Sequence, residues 1–334
     1  MRLIVLGFLV VFPWLFWQCQ SNSSDGGRIS TDALRELEKK DLIPAPPFSA
    51  DSALFFLDQQ LGFGPRVPNT PGHQACGDYL IATLEGWGLL VLVQDFTAKA
   101  FDGTLLKGRN IMARFDPTQS KRVLLAAHWD TRPFADQDSD PTRRNEPFLG
   151  ANDGASGVAV LLEIARLLTQ KETPKPPVGV DLLFFDLEDY GKSNVRNSYC
   201  LGSQHWGANK MPEGYSAYYG ILLDMVGAQQ ARFYKESTSM QFAPKVMQRV
   251  WQIGQQLGYG QYFIDQAAEG VLDDHYYVNT LAKIPMIDII EHDPQTPNYF
   301  GGYWHTHQDN RDIIDKATLK AVGQTVLTTI YNEN

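Results

Sequence analysis

The chain has 334 residues, of which 43% are hydrophobic and 20% are charged, and its formal net charge at pH 7 is -9. These values are typical of a globular enzyme with one large α/β domain or two small ones. The acidic balance and the lack of a basic stripe in the sequence argue against nucleic-acid binding. Three cysteines are too few for a disulfide scaffold. Cys76 and Cys200 either pair in an oxidising compartment or remain two separate buried thiols.

The first 29 residues are predicted to lie outside the catalytic domain, as an export segment and linker. Met1-Arg2 precedes an apolar run over residues 3–17, and a polar segment follows. A basic start, a short apolar core and a polar exit are typical of an export signal. We therefore expect an exported, periplasmic or cell-envelope protein that is attached to the membrane. A lipid on Cys19 and an uncleaved signal anchor both fit this segment, and free secretion fits it less well.

From residue 30 to residue 334 the pattern predicts one catalytic domain in which helices and strands alternate. Amphipathic segments predict helices over residues 30–42, 50–61, 73–84, 158–168, 244–257 and 318–331. Apolar runs predict strands over residues 89–96, 109–115, 123–127, 181–185, 220–224 and 285–290. Alternating strands and helices form a mainly parallel sheet with helices on both faces. Because the first two strands are paired around the turn Asp102-Gly103, we predict a single α/β domain with a mixed, mostly parallel sheet.

Acidic and imidazole side chains follow the apolar runs. His128 follows one predicted strand, Glu188-Asp189 follows the next, and Asp224 ends a third. The carboxyl edge of an α/β sheet is where active sites lie. Histidine and carboxylate together are the zinc ligands of hydrolytic and acyl-transfer sites. With Asp153 and His305 added, the pattern predicts a zinc site in which Glu188 is a spare carboxylate for proton transfer.

Each of these residues also has a plainer interpretation. Asp153 precedes a predicted helix and can be its N-cap, although the glycines around it predict close backbone approach. Glu188-Asp189 can be a solvated loop pair, although adjacent carboxylates repel each other unless something positive compensates. Asp273 lies in the cluster Asp273-Asp274-His275, which can be a helix cap. The long polar loop over residues 131–150 is expected to form a wall of the site.

At these residues the chain resembles the zinc aminopeptidase-like superfamily, and within it the glutaminyl cyclases in the form found in bacteria. The resemblance covers nearly everything from residue 61 to residue 331. It is carried by Gly64-Pro65-Arg66, His128-Trp129-Asp130, Gly150-Ala151-Asn152-Asp153, residues 184–189, residues 201–205, residues 223–228, Asp273-Asp274-His275 and Trp304-His305-Thr306. The charged cluster at Asp273 and the tryptophan before His305 favour the cyclases over the aminopeptidases.

The resemblance implies a ligand set and a division of roles. Animal-type cyclases hold one zinc with the counterparts of Asp153, Asp189 and His305, whereas the aminopeptidases hold two and also use the counterparts of His128 and Asp224. For a cyclase we expect one zinc, with His128 a ligand only if a second metal binds. Asp224 would then be hydrogen-bonded to Asp273 in a catalytic, proton-holding network.

Two positions depart from the animal cyclases. Asp189 stands where they carry a glutamate, and Asp288 stands where they carry a histidine. Both are compatible with the bacterial branch. We place Asp288 with Trp304 in the substrate pocket.

The implied reaction is the cyclisation of an N-terminal glutamine of a peptide or protein to pyroglutamate, with release of ammonia. Zinc would polarise the side-chain carbonyl, and Glu188 would move the proton from the α-amine to the leaving nitrogen. The alternatives are a dizinc aminopeptidase, in which Glu188 activates a bridging water, and a metal-free peptide-binding protein on the same scaffold. We expect a monomer.

Overall fold

A six-stranded mixed sheet is the centre of the computed structural model, which describes residues 41–333. The strands, including two outside this sheet, are β1 (Leu90–Lys99), β2 (Leu105–Phe115), β3 (Arg122–His128), β4 (Gly179–Phe185), β5 (Tyr219–Asp224), β6 (Phe233–Glu236), β7 (Phe263–Ala268) and β8 (Met286–Ile290). Their order in the central sheet is β1-β2-β4-β3-β5-β8. The β1/β2 and β2/β4 pairs are antiparallel and the other pairs are parallel. The predicted mixed, mostly parallel sheet is confirmed.

Helices cover the sheet and join its strands. Within residues 41–333 they are α1 (Ala50–Leu61), α2 (Pro71–Gly86), α3 (Ala155–Thr169), α4 (Leu201–Ala208), α5 (Ser237–Phe242), α6 (Pro244–Gln256), α7 (Asp274–Tyr277) and α8 (Lys316–Tyr331). A π-helical turn, Val278–Ala282, continues α7. The sequence predicted the five long helices and missed α4, α5 and α7, because segments of four to eight residues are too short to show a helical period.

The three central strands are apolar because both of their faces are covered. Every residue of β3, β4 and β5 is buried. Alternate residues of β3 belong to different cores, with Leu125 and Ala127 on one face of the sheet and Leu124 and Ala126 on the other. Side chains of a strand point alternately to the two faces. The continuous apolar runs of the sequence therefore reflect burial on both sides of the sheet.

Local signals fix where the helices begin. The Ser49 side chain accepts a hydrogen bond from the Ser52 amide at the start of α1, and Asp315 caps α8 in the same way. At Gly157, a Cβ atom would lie 2.2 Å from the Leu223 carbonyl oxygen, so only glycine allows α3 to pack this closely on β5. This contact holds the start of α3 against the carboxyl end of the sheet.

Two further predictions concern the cysteines and the N-terminal segment. Cys76 and Cys200 are both buried and free, so the alternative of two separate thiols holds. The export segment and nearly all of the predicted helix over residues 30–42 lie outside the described residues. Across residues 41–333, no helix is both long enough and apolar enough to cross a membrane.

Candidate active site

The carboxyl ends of the parallel strands bring the predicted residues together. β3 ends at His128 and β5 ends at Asp224, and the pairing of Ala126 with Leu222 sets these two ends side by side. Beyond β4 and β5 the chain turns sharply, because Leu187 and Met225 adopt left-handed conformations with φ of 58° and 48°. Such conformations are uncommon for residues other than glycine and cluster at functional sites.

Asp130 fixes the turn that carries the two adjacent carboxylates. Its side chain is fully buried and accepts the amide N–H groups of Glu188 (3.0 Å) and Asp189 (3.2 Å). The two side chains then point apart. Asp189 faces His305, at 3.4 Å between Oδ1 and Nε2, whereas a Glu188 oxygen lies 3.1 Å from the Cys200 sulfur. Both carboxylates are therefore held in position within the site, and the interpretation as a solvated loop pair is wrong.

Asp153 is held in place by a carboxylate that the sequence analysis did not identify. Asp309 is buried, and its two oxygens accept the amides of Asn152 (2.7 Å) and Asp153 (3.0 Å). The N-cap of α3 is Gly154 and not Asp153, so the Asp153 side chain is available to the site. The glycine next to Asp153 allows the backbone to pack closely, since a Cβ at Gly154 would lie 2.8 Å from the Asp130 carbonyl oxygen.

The five predicted residues form two groups that share Asp153. On one side, called here the His305 side, the ring Nε2 of His305 lies 3.5 Å from Asp153 Oδ2 and 3.4 Å from Asp189 Oδ1. On the other, the His128 side, Nε2 of His128 lies 3.1 Å from Asp153 Oδ1 and 3.1 Å from Asp224 Oδ1. Within each group the candidate ligand atoms lie within 4.8 Å of one another.

The His305 side fits a tetrahedral zinc ion. Zinc bonds of about 2.0–2.2 Å place neighbouring ligand atoms about 3.3–3.6 Å apart, and the measured 3.4 and 3.5 Å lie in that range. One imidazole and two carboxylates leave a fourth position for a substrate atom. On the His128 side the 3.1 Å separations are ordinary hydrogen-bond distances. There, burial lowers the pKa of His128, but its contacts with surrounding carboxylates raise that pKa well above its ordinary value.

A cavity of about 420 Å³ opens above both groups. Polar residues on its floor include Asp153, Glu188, Asp189, Asp224, Asp273 and His305. Apolar residues on its walls include Val195, Leu272, Phe300 and Trp304, and the Trp304 ring stacks on His305 with 3.8 Å between centroids. A second cavity, about 600 Å³, lies beside β1 and β2 and touches none of the predicted site residues. The chemistry therefore belongs to the smaller cavity.

The acid-base candidates Glu188 and Asp273 lie on the buried floor of this cavity. Burial raises the pKa of Glu188 well above its ordinary value. Burial and the nearby Asp224 carboxylate raise the pKa of Asp273 to about 6. Carboxyl groups with raised pKa values can hold and release protons near neutral pH, which suits general acid-base chemistry.

Two details differ from the sequence-based expectation. Asp224 contacts His128, and no hydrogen bond joins it to Asp273 in the part of the chain that the structure describes. Asp288 does not line the cavity, because it lies on β8 and is fully buried beneath Asp273. Its carboxylate lies 3.7 Å from Nδ1 of His275 and forms a cluster with His275 and Asp273. The placement of Asp288 in the substrate pocket is therefore corrected to a position below the floor.

Sequence reasoning also missed several residues that support the site. The polar loop over residues 131–150 contributes Arg132, whose amide donates to Asp189 Oδ2 at 3.1 Å. Cys200 contacts Glu188, and its left-handed conformation (φ 58°) begins α4. The loop was expected to wall the site, but nothing in its composition distinguishes Arg132 from the exposed Arg143. For Cys200 the sequence carries no signal beyond the residue type.

Several proteins of known structure share the fold of this chain and about half of its sequence. The model of Peptidase family M28 matches residues 110–330. A glutaminyl cyclase from Bacteroides thetaiotaomicron bound to N-acetylhistamine is 50% identical, with a TM-score of 0.83 over 87% of this chain and 100% of that one. A Zn-dependent exopeptidase from Parabacteroides distasonis is also 50% identical, with a TM-score of 0.84 and the same coverage.

Curated relatives agree with these structures. The glutaminyl-peptide cyclotransferase of Drosophila melanogaster is 26% identical over 273 residues, which are 76% of this chain and 73% of the relative. The cyclotransferase of Gloydius blomhoffii is 24% identical over 281 residues, with the same two coverages. The resemblance predicted from the sequence motifs is confirmed. The chain belongs to Peptidase family M28 and is a homologue of the bacterial glutaminyl cyclases.

Proposed function

We propose that this protein converts the N-terminal glutamine of peptides and proteins to pyroglutamate and releases ammonia. The observation that carries the proposal is the position of Glu188. Its carboxyl group faces the cavity, stands apart from both candidate ligand groups and has a pKa raised by burial. The homologous glutaminyl cyclases support the same activity.

The ligands proposed for zinc are Asp153, Asp189 and His305, with one ion per chain. When bound there, zinc supplies a Lewis acid to the substrate's side-chain carbonyl. The hydrogen bond between His128 Nε2 and Asp224 Oδ1 supports a single ion, because it occupies two atoms that a second ion would need as ligands. Zinc on both sides would instead favour the aminopeptidase activity.

The residues of the chain position the reactants and move one proton. The cavity holds the glutamine so that its α-amine approaches the side-chain carbonyl carbon, and ring closure within one molecule benefits from this fixed geometry. The new bond joins the α-nitrogen to that carbon, and the bond to the side-chain nitrogen breaks. Glu188 accepts the proton of the α-amine and gives it to the leaving nitrogen, which departs as ammonia.

Asp273 and Trp304, which both line the cavity, assist the reaction. Asp273 lies close enough to Cys200 and Glu188 for the three to form one cluster. With its pKa raised to about 6 it can share the proton that Glu188 holds. Trp304, stacked on His305, bounds the space available to the glutamine side chain. The exposed apolar side chains of Val195 and Leu272 border the entrance.

One experiment separates the candidate functions. Purified protein is incubated with a Gln-peptide while ammonia and free amino acids are measured, and zinc per chain is determined by elemental analysis. Ammonia release with about one zinc per chain supports the cyclase. Two zincs with release of free amino acids would favour the aminopeptidase, and neither zinc nor turnover would favour a peptide-binding protein.

We also propose that the protein is exported and attached to the cell envelope through residues 1–29, and that it acts as a monomer. The apolar run over residues 3–17 supports the attachment. Mass spectrometry of the mature N-terminus distinguishes a lipid on Cys19 from an uncleaved anchor. A soluble protein without these residues in the growth medium would contradict the attachment, and light scattering of the purified protein tests the monomer.

A further inference from the structure

Arg132 is a buried cation directly behind the His305 side. Its backbone amide donates to Asp189 Oδ2, and its Nη1 donates to the carbonyl oxygens of Asp189 and Gly191, both at 3.0 Å. Only 4% of the side chain is exposed. A guanidinium removed from water has to be fully paired, and these bonds satisfy part of its five donors.

Asp136 accepts from two further donors of Arg132 and reaches the second ligand. Arg132 Nε and Nη2 donate to the two Asp136 oxygens at 3.0 and 2.8 Å, which is a bidentate pair. The Asp136 Oδ1 atom also lies 3.4 Å from Nδ1 of His305, whose Nε2 faces Asp153 and Asp189. One ion pair therefore contacts two of the three proposed ligands from outside.

The charges of the pair decide what it can do. A lone guanidinium this close to Asp189 would disfavour a metal cation, and a lone carboxylate beside His305 would favour one. Together they are close to neutral, so the effect expected of the pair is orientation rather than net charge. A carboxylate on the outer nitrogen of a metal-binding histidine fixes the ring and its tautomer and raises its basicity.

We propose that Arg132 and Asp136 act as one positioning unit that holds Asp189 and His305 in zinc-binding geometry. The inference rests on the proposed zinc site. Neither residue was identified from the sequence, and neither touches the cavity. The unit links the loop that follows β3 to the loop that carries His305, so it also couples the order of one loop to the other.

A double-mutant cycle on zinc affinity tests the unit. The zinc dissociation constants of the wild type, Arg132→Gln, Asp136→Ala and the double variant are measured by chelator competition. Removing an outer partner of a metal ligand weakens binding by about 10–100-fold, so we expect this loss for Asp136→Ala. The double variant should lose much less than the product of the two single losses, because the orienting ion pair that either substitution breaks can be lost only once. Asp136→Asn keeps an acceptor for His305 and should recover part of the affinity.

The control is an ion pair on the same loop. Arg143 and Glu146 are exposed and 3.1 Å apart, and Arg143→Gln should change zinc affinity less than about threefold. If Arg132→Gln does not fold, Asp136→Ala still carries the test, because the Asp136 side chain is 40% exposed. Thermal unfolding of the zinc-free variants reports their folding independently of the metal.

The outcomes separate this inference from the proposed function. If the wild type binds zinc and releases ammonia but Asp136→Ala binds zinc as tightly, the positioning unit is refuted and the cyclase stands. Strictly multiplicative losses would also refute the unit, because they would mean two independent contributions. If the wild type binds no zinc, both the zinc site and this inference fail.

Discussion

The two sides of Asp153 carry similar ligands but are built differently. On the His128 side, His128 and Asp224 end adjacent strands and touch through a 3.1 Å contact. On the His305 side, His305 and Asp189 both lie in loops, and the ring stands 3.4 to 3.5 Å from its carboxylate neighbours. On the His128 side Nε2 of His128 is hydrogen-bonded to Asp224, whereas the wider spacing on the His305 side is compatible with zinc bonds.

Their surroundings differ as well. Asp130, Glu188 and Asp273 all lie near His128, so a protonated histidine is surrounded there by acids. Behind the His305 side lies the Arg132–Asp136 pair, and in front of it Trp304 and the cavity. The ligand residues that a protein shares with its family do not by themselves determine how many metal ions it binds. The contacts that already satisfy each ligand also matter.

The largest effect is expected from removing the histidine of the His305 side. His305→Ala should lower zinc content to below about one tenth per chain and abolish ammonia release, because two carboxylates alone make a poor zinc site. The measurement is elemental analysis together with an ammonia assay. His307→Ala is the matched control, since His307 lies two residues away and pairs with Asp138 at 2.7 Å. If His305→Ala retained zinc, the His305 side would not be the side that holds the ion.

The next effect concerns the proton carrier, Glu188. Glu188→Gln keeps the size of the side chain but cannot accept a proton, so kcat should fall about 10²–10⁴-fold while zinc content is unchanged. Steady-state ammonia release and metal analysis of the same sample provide the test. A variant that is still active would remove Glu188 from the mechanism, and loss of zinc would make Glu188 a ligand.

The variant His128→Ala tests the His128 side directly. If only the His305 side holds zinc, the variant should keep about one zinc per chain and lose less activity than Glu188→Gln does. Its stability should fall by about 3–5 kcal/mol, because the partner carboxylates lose their buried cation. Metal content and chemical denaturation measure the two parts. A fall from two zincs to one would instead identify a dizinc site.

A smaller effect is expected at Cys200, which contacts the proton carrier. Burial raises the pKa of this thiol well above its ordinary value, so it stays protonated and donates to Glu188. Cys200→Val replaces the thiol by apolar methyl groups, which removes the donor, and should lower kcat by about tenfold or less, since a thiol is a weak donor. Cys76→Val, the other buried cysteine, should leave kcat unchanged. Equal rates in all three proteins would exclude a role for the thiol.

The smallest effect concerns Glu291, a buried carboxyl outside both sides. Burial raises its pKa from 4.5 to about 7. The folded protein therefore holds this proton more tightly than the unfolded chain. The resulting stability is present below about pH 4.5 and is lost as the pH rises to about 7. Glu291→Gln should make the free energy of unfolding less dependent on pH in this range. It should also stabilise the protein at pH 8 by about 1–3 kcal/mol. Urea denaturation at pH 5 and pH 8 measures it, and identical pH dependence would refute it.

Much of the fold could be predicted because most of its strands and helices have a recognisable local sequence pattern. The buried strands are continuous apolar runs, and the five long helices show a helical period. The short elements from β6 to α7 could not be predicted in the same way. Their few residues are fixed by contacts such as Glu236, which accepts the amides of Thr238 and Ser239 and lies 3.4 Å from His275.

Residue type, order and spacing were enough to predict the strand-end side chains and the family, because they are local properties of a chain. They identified His128, Asp224 and Glu188-Asp189 as residues at one edge of a sheet. The division of these residues between two groups around Asp153 became visible in the folded chain alone. That division depends on contacts between distant segments, such as Asp309 with Asp153 and Asp136 with His305, whose distances no local pattern contains.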